Sequence, residues 1–142
     1  TNIEQVDLRF SLWRNAAIAW KDKPIFGYGI GDSKEAIAKV HKQRNITEAV
    51  DYNLNAHNQF LETLIQTGLV GFILLCSLFA VALHQSIKKK QELIFLFLLI
   101  TIVCFIFESM LQRLTGVVFL AFWYSFLTII YLPEQSDETI PQ

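Results

Sequence analysis

The chain has 142 residues, of which 53% are hydrophobic and 18% are charged, and its formal net charge at pH 7 is −1. Soluble domains usually carry about 25% charged residues, so this composition favours a membrane protein. No basic stripe interleaves with aromatic side chains, and binding to nucleic acid is therefore not expected.

The first 56 residues are mixed in character and are predicted to form short helices ahead of the apolar part of the chain. Leu8, Leu12 and Ala16 recur at helical spacing and predict one helix, which ends near Asp22 and Pro24. Residue 1 is Thr and no signal-peptide pattern follows it, so the chain is expected to be the C-terminal portion of a longer protein.

Three glycines follow this helix at alternate positions, namely Gly27, Gly29 and Gly31. They predict a tight and closely packed backbone turn, because glycine adopts positive φ at little steric cost. The spacing is not that of a dinucleotide-binding loop, which would also need a preceding strand.

A second helix is predicted from Ser33 to about Arg44, with a capping box formed by Asp32 and Glu35. Residues 45–55 are predicted to be a loop. One face of the helix is basic, which favours a solvated surface and leaves contact with anionic lipid or sugar phosphates as an alternative. The residues of this face are Lys34, Lys39, His41, Lys42 and Arg44.

Three nearly uninterrupted apolar runs occupy residues 69–83, 93–107 and 117–132. A helix needs about 20 residues to cross the hydrocarbon core, so the first two runs reach that length only with their flanking residues. The runs predict an all-α polytopic membrane protein with about three transmembrane helices. Cys76 and Cys104 lie inside them, and no disulfide is expected.

Three consecutive lysines at residues 88–90 lie in the short loop between the first two runs. The positive-inside rule places this loop in the cytoplasm, and the segment before His57 therefore lies on the opposite, periplasmic side. Three regions are predicted: a periplasmic segment at 1–56, a membrane bundle with the histidine at 57–132, and a cytoplasmic tail at 133–142.

The most specific pattern begins at His57 and Asn58, directly before the first apolar run. Nine residues separate this pair from Gly68, and Gly71 completes a G-x-x-G sequence. A helix is predicted to start near His57 or Asn58 and to run unbroken into the membrane. Its N-terminal N–H groups suit a phosphate-bearing ligand, and a neutral imidazole there can accept a proton from a sugar hydroxyl. The two glycines are predicted to permit close helix packing.

The His-Asn-x9-Gly-x-x-Gly pattern resembles the signature of the O-antigen ligase family, which assembles bacterial polysaccharides. Arg9, Trp13 and Pro24, followed by the glycine turn, match elements that precede the histidine in that family. Glu108 and Arg113 match residues that some relatives carry in the last outer turn. Arg113 is predicted either to bind substrate or to pair with Glu108. The resemblance covers most of the chain.

The resemblance implies a glycosyltransferase-type ligase at the periplasmic face of the bacterial inner membrane. Such an enzyme moves a glycan from undecaprenyl diphosphate to a hydroxyl of lipid A–core or another glycan acceptor, without a metal or another cofactor. His57 is implied as the catalytic residue, with Arg9, Asn58 and Arg113 as substrate-binding residues. Because the family has about ten to twelve spans, this portion alone is expected to be inactive.

Other functions remain open at this point. O-antigen polymerases and protein O-oligosaccharyltransferases of the same superfamily differ in acceptor rather than in this motif. A non-catalytic membrane module, such as a transporter fragment, would account for the spans but not for the motif. A metal hydrolase would need more ligands near His57. The other histidines are His41 and His84, and His84 is predicted to lie on the opposite side of the membrane. A metal site is therefore not expected.

Overall fold

The computed structural model describes residues 2–131, with side chains from Leu8 onward. Every regular element in this range is helical, which confirms the predicted all-α class. The predicted tail at 133–142 lies outside the described residues. The elements are α1 (Asn2–Asp22), α2 (Ser33–Gln43), α3 (Thr47–Asp51), α4 (Gln59–Lys88), α5 (Glu92–Phe107), a 3-10 turn (Met110–Gln112) and α6 (Leu114–Ile130).

The first two helices end close to the predicted positions, but two details of this region were predicted wrongly. Asp32 precedes α2 without capping it through its side chain, because its own φ and ψ of −94° and −11° are helical rather than extended. The predicted capping box is therefore absent. The stretch predicted as a loop at 45–55 contains the short helix α3.

Within residues 2–131, one helix is long and apolar enough to cross a membrane by length and composition, and that helix is α4 with 30 residues. Helices α5 and α6 are apolar but have only 16 and 17 residues. Of the three predicted spans, only the first therefore reaches full length. Residues 108–113 separate these two helices and include the 3-10 turn.

Helix α4 is broken at Gly68, and the predicted unbroken helix is therefore wrong. Gly68 has a φ of 64° and a ψ of −160°, a conformation that is sterically closed to residues with a side chain. A helical residue donates its N–H to the carbonyl four residues earlier. The break therefore removes the bonds that Leu69 and Val70 would make to Ile65 and Gln66.

The segment between α1 and α2 replaces the lost bonds. Tyr28 N–H donates to the Ile65 carbonyl and Gly29 N–H to the Gln66 carbonyl, each at 2.8 Å. In return, Leu69 N–H donates to the Pro24 carbonyl at 2.9 Å and Val70 N–H to the Ile25 carbonyl at 3.3 Å. Four backbone groups freed at the break thus regain partners, as a buried backbone requires. The partners come from residues 24–29.

The break divides the apolar core into two clusters. Ahead of Gly68, Ile65 packs with residues of α1 and α2 and with Ala56, all of them buried. After it, Phe79 packs with Ile94, Leu98 and Phe105 of α5. Helix α4 therefore joins an N-terminal layer to an apolar hairpin, and His57 lies where the two meet the α5–α6 turn.

Candidate functional site

His57 lies in the residue pair directly before α4, in a conformation that few residues adopt. Its φ is 43°, in the left-handed region, which costs a residue with a side chain roughly 1–2 kcal/mol. Histidine is among the residues enriched there. The surroundings must supply the contacts that hold this geometry.

Three consecutive backbone N–H groups around His57 each donate to a side-chain oxygen. Ala56 N–H donates to Glu62 Oε2 at 3.4 Å, and His57 N–H donates to Asn55 Oδ1 at 3.0 Å. Asn58 N–H donates to the hydroxyl of Ser109 at 3.2 Å. The imidazole is therefore presented by a backbone fixed on both sides.

Asn58 is the N-cap of α4. Its backbone is extended, with a φ of −156° and a ψ of 114°, and its side-chain oxygen accepts the N–H of Leu61 at 3.0 Å. Asn58 is also buried, with 8% of its surface exposed. This side chain serves the helix end, as asparagine commonly does. The helix begins one residue after the predicted range.

The imidazole of His57, before the start of α4, faces the carboxylate of Glu108, which follows the end of α5. His57 Nδ1 lies 3.3 Å from Glu108 Oε2, at the C-terminal end of α5. Both side chains are partly exposed. When Nδ1 carries the proton and donates it to Glu108, Nε2 is left with its lone pair. Among the hydrogen bonds of residues 8–131, none involves Nε2, so its lone pair has no partner within these residues.

Glutamine side chains link the turn after α5 to α4. The amides of Gln66 and Gln112 pair reciprocally, at 2.8 and 3.2 Å. Gln59 Oε1 accepts the N–H of Leu111 at 2.8 Å. Gln66 also donates to Glu62 Oε1 at 3.2 Å. These bonds fix the turn that carries Glu108 against the helix that follows His57.

His41 does not belong to the basic face predicted for α2. Only 1% of its surface is exposed, and its Nε2 lies 3.3 Å from the Leu54 carbonyl while its Nδ1 lies 2.9 Å from Asn15 Nδ2. A carbonyl only accepts, so Nε2 carries the proton and Nδ1 accepts from the amide. Burial lowers the pKa of His41. Its neutral ring ties α1 and α2 to the segment that leads to His57.

The other predicted site residues include two arginines. The two arginines, Arg9 on α1 and Arg113 before α6, are both exposed. In the part of the chain with described side chains, the recorded ion pair of Glu108 is with His57, so the pairing of Arg113 with Glu108 is not formed.

The predicted glycines fall into two groups. A Cβ on Gly27 would lie 2.5 Å from the Gln66 carbonyl carbon, and a Cβ on Gly68 would collide with the Ile25 carbonyl. Gly29 and Gly31 face open space. A Cβ on Gly71 would meet Thr67 of its own helix. The close approach at Gly68 is thus to a loop and not to another helix.

Sequence reasoning did not single out Ser109, Glu62, Gln66 and Gln112, although all four hold the site together. A signal was present: polar residues that are buried at the end of an apolar helix require hydrogen-bond partners. One polar cluster lies at the start of α4 and another after the end of α5. Because these two apolar helices are adjacent in the chain, the pattern indicates that the two clusters contact each other.

These features define an all-helical fold with a histidine–carboxylate pair at one end of an apolar bundle. The family model described as O-antigen ligase matches residues 3–76, which is more than half of the chain. The chain belongs to the O-antigen ligase family, as its motif predicted.

Two curated relatives are similar to parts of the chain. An uncharacterized protein of Haemophilus influenzae is 37% identical over 81 residues, which cover 57% of this chain and 20% of the relative. The ComP-specific O-oligosaccharyltransferase of Acinetobacter baylyi is 30% identical over 110 residues, which cover 73% of this chain and 19% of the relative. The chain thus spans about a fifth of the length of these relatives. No solved structure matches it.

Proposed function

We propose that the whole protein is a membrane glycosyltransferase that moves a glycan from undecaprenyl diphosphate to an acceptor hydroxyl. The observation that carries this proposal is the pairing of His57 Nδ1 with Glu108 Oε2, within a chain of the O-antigen ligase family. The pairing leaves Nε2 as a base at the end of an apolar bundle. A lipid-linked donor would present its head group at that level.

In the proposed step, Nε2 of His57 takes the proton of the acceptor hydroxyl. The acceptor oxygen then forms a bond to the anomeric carbon while the bond from that carbon to the diphosphate breaks. Undecaprenyl diphosphate leaves with the electron pair. Glu108 stabilises the imidazolium that forms, as a carboxylate does beside a catalytic histidine.

The diphosphate needs cationic partners, and we propose Arg9 with Arg113 as the second candidate. Both residues are exposed, which supports contact with a ligand. A planar guanidinium bridges two phosphate oxygens and does not titrate. We propose no metal for this step, because the motif supplies a base without one.

We place the reaction at the periplasmic face of the bacterial inner membrane. Helix α4 ends at Lys88, and Lys89 and Lys90 follow it. All three lysines are exposed, which supports a cytoplasmic position for that end of the helix. His57 is at the other end of the same helix. The three regions 1–56, 57–132 and 133–142 retain their proposed roles as periplasmic segment, membrane bundle and cytoplasmic tail.

We propose lipid A–core, as in an O-antigen ligase, or another glycan hydroxyl, as in an O-antigen polymerase, as the acceptor, with a protein hydroxyl as the second candidate. The second candidate is favoured by the similarity to the ComP-specific O-oligosaccharyltransferase over 73% of the chain. A strain lacking the full-length gene would be complemented with the wild-type gene or with His57→Ala. Lipopolysaccharide and total glycoprotein would then be compared on gels.

We expect the wild-type gene to restore one of these two glycoconjugates and His57→Ala to restore neither at an equal level of protein. The conjugate that returns identifies the acceptor class. Full restoration by His57→Ala would contradict the proposed chemistry and favour a non-catalytic membrane module.

A further inference from the structure

Glu62 is a buried carboxylate that the proposed reaction does not use. It lies in the first turn of α4 with 2% of its surface exposed. Burying a carboxylate is costly unless the group is bonded, so its partners indicate why it is there. Within the described residues, those partners are hydrogen-bond donors on two different segments.

The first donor is the backbone N–H of Ala56, the residue before His57, at 3.4 Å from Glu62 Oε2. The second is the amide of Gln66, at 3.2 Å from Glu62 Oε1. Gln66 also donates to Gln112 Oε1 at 2.8 Å, in the turn that carries Glu108. The Glu62 carboxylate therefore contacts the backbone directly before His57. Through the amide pair of Gln66 and Gln112 it is also linked to the turn that carries Glu108.

We infer that Glu62 is a positioning residue for glycan transfer, holding His57 and Glu108 in register. The inference rests on the proposed function. The left-handed backbone of His57, with a φ of 43°, is an unfavourable conformation that these bonds help to stabilise. A shift of about 1 Å in a reacting group can lower a rate by about 10²-fold, so loss of the carboxylate is felt in the chemical step.

The test uses the purified full-length protein, undecaprenyl-diphosphate-linked glycan from the host as donor, and as acceptor the glycoconjugate class that the complementation experiment restores. Glu62→Met keeps the length of the side chain and removes both acceptors. Glu62→Gln keeps an acceptor for the Ala56 N–H. The side-chain amides of Gln66 and Gln112 can both flip, so that the Gln66 oxygen faces the N–H of the new amide. We expect Glu62→Met to lower the rate of the chemical step by about 10²-fold. We expect Glu62→Gln to stay within about fivefold of wild type.

A second comparison separates positioning from a general structural role. Glu62→Met is also made in a His57→Ala background, where a residue that acts through His57 has nothing left to position. We expect no further loss there, because effects within one functional unit are not additive. Equal losses in both backgrounds, or no rescue by Glu62→Gln, would overturn the inference. Full transfer by His57→Ala alone would instead overturn the proposed function, and this inference with it.

Discussion

His57 Nδ1 lies 3.3 Å from Glu108 Oε2, although the two residues are 51 positions apart in the chain. The contact joins the residue pair before α4 to the end of α5. It fixes which nitrogen of the imidazole is free, because the nitrogen that donates to a carboxylate carries the proton. The candidate site is therefore built from both ends of one apolar hairpin.

This pairing predicts the effect of changing Glu108. Glu108→Gln keeps a carbonyl oxygen for Nδ1–H but removes the charge that stabilises the imidazolium. Glu108→Ala removes both. We expect kcat to fall by about tenfold or more in Glu108→Gln and further in Glu108→Ala, with little change in the KM for the donor.

The measurement is steady-state transfer by the full-length protein in detergent. Glu92→Gln is the matched control, because Glu92 is exposed at the other end of the same helix. A glutamine variant as fast as wild type would show that Glu108 charge has no part in the reaction.

The exchange of backbone bonds at Gly68 predicts a folding defect. Gly68→Ala and Gly27→Ala each place a Cβ against backbone, at positions with φ values of 64° and 68°. A residue with a side chain in such a backbone conformation costs about 1–3 kcal/mol, and the collision adds to it. We expect both variants to lower the yield of monodisperse full-length protein in size-exclusion chromatography.

Gly31→Ala is the control for this experiment, because Gly31 faces open space and its φ is not positive. It is expected to behave like wild type. Normal yield with lost transfer in Gly68→Ala would contradict the packing role and favour a contact between Gly68 and substrate.

His41 predicts a pH dependence of stability. Burial lowers its pKa in the folded protein, so near and below the ordinary value of about 6.5 the unfolded chain binds the proton more readily. Stability therefore decreases as pH falls through about 6.5, with a slope of at most about 1.4 kcal/mol per pH unit.

Thermal unfolding followed by tryptophan fluorescence between pH 8 and pH 5 measures this slope. We expect His41→Gln to have a flatter pH profile than wild type. His84→Gln should leave the profile unchanged, because His84 is exposed. Identical profiles for wild type and His41→Gln would contradict the assignment.

Arg9 is predicted to bind the donor diphosphate. Arg9→Lys keeps the charge but loses the planar fork that bridges two phosphate oxygens. We expect a rise of about tenfold or more in the KM for the undecaprenyl-diphosphate-linked glycan. Arg14→Lys on the same helix, also exposed, is the control and should bind normally. Equal tolerance of the two changes would leave the diphosphate to other arginines.

The sequence allowed prediction of elements whose signal is local. The spacing of Leu8, Leu12 and Ala16 predicted α1, and the His-Asn pair placed the start of α4 within one or two residues. The break at Gly68 was missed because a glycine next to an apolar run is also typical of close helix packing. Its cause, the segment at residues 24–29, lies about forty positions earlier.

The candidate site was predicted only in part for the same reason. His57 and Glu108 could both be named, but their pairing depends on how the α4–α5 hairpin brings its two ends together. His41 was assigned to a basic face because its partners Asn15 and Leu54 are distant in the chain. Buried polar contacts of this kind are a property of the packed fold.

The central claim is that His57 acts as the base for the acceptor hydroxyl. Its most direct test is the single-turnover rate of glycan transfer by full-length His57→Gln, which keeps a polar side chain. Base catalysis contributes about 10²–10⁴-fold, so the rate is predicted to fall by that factor while the folded yield stays normal. A rate within about threefold of wild type would contradict the claim and remove His57 from the reaction.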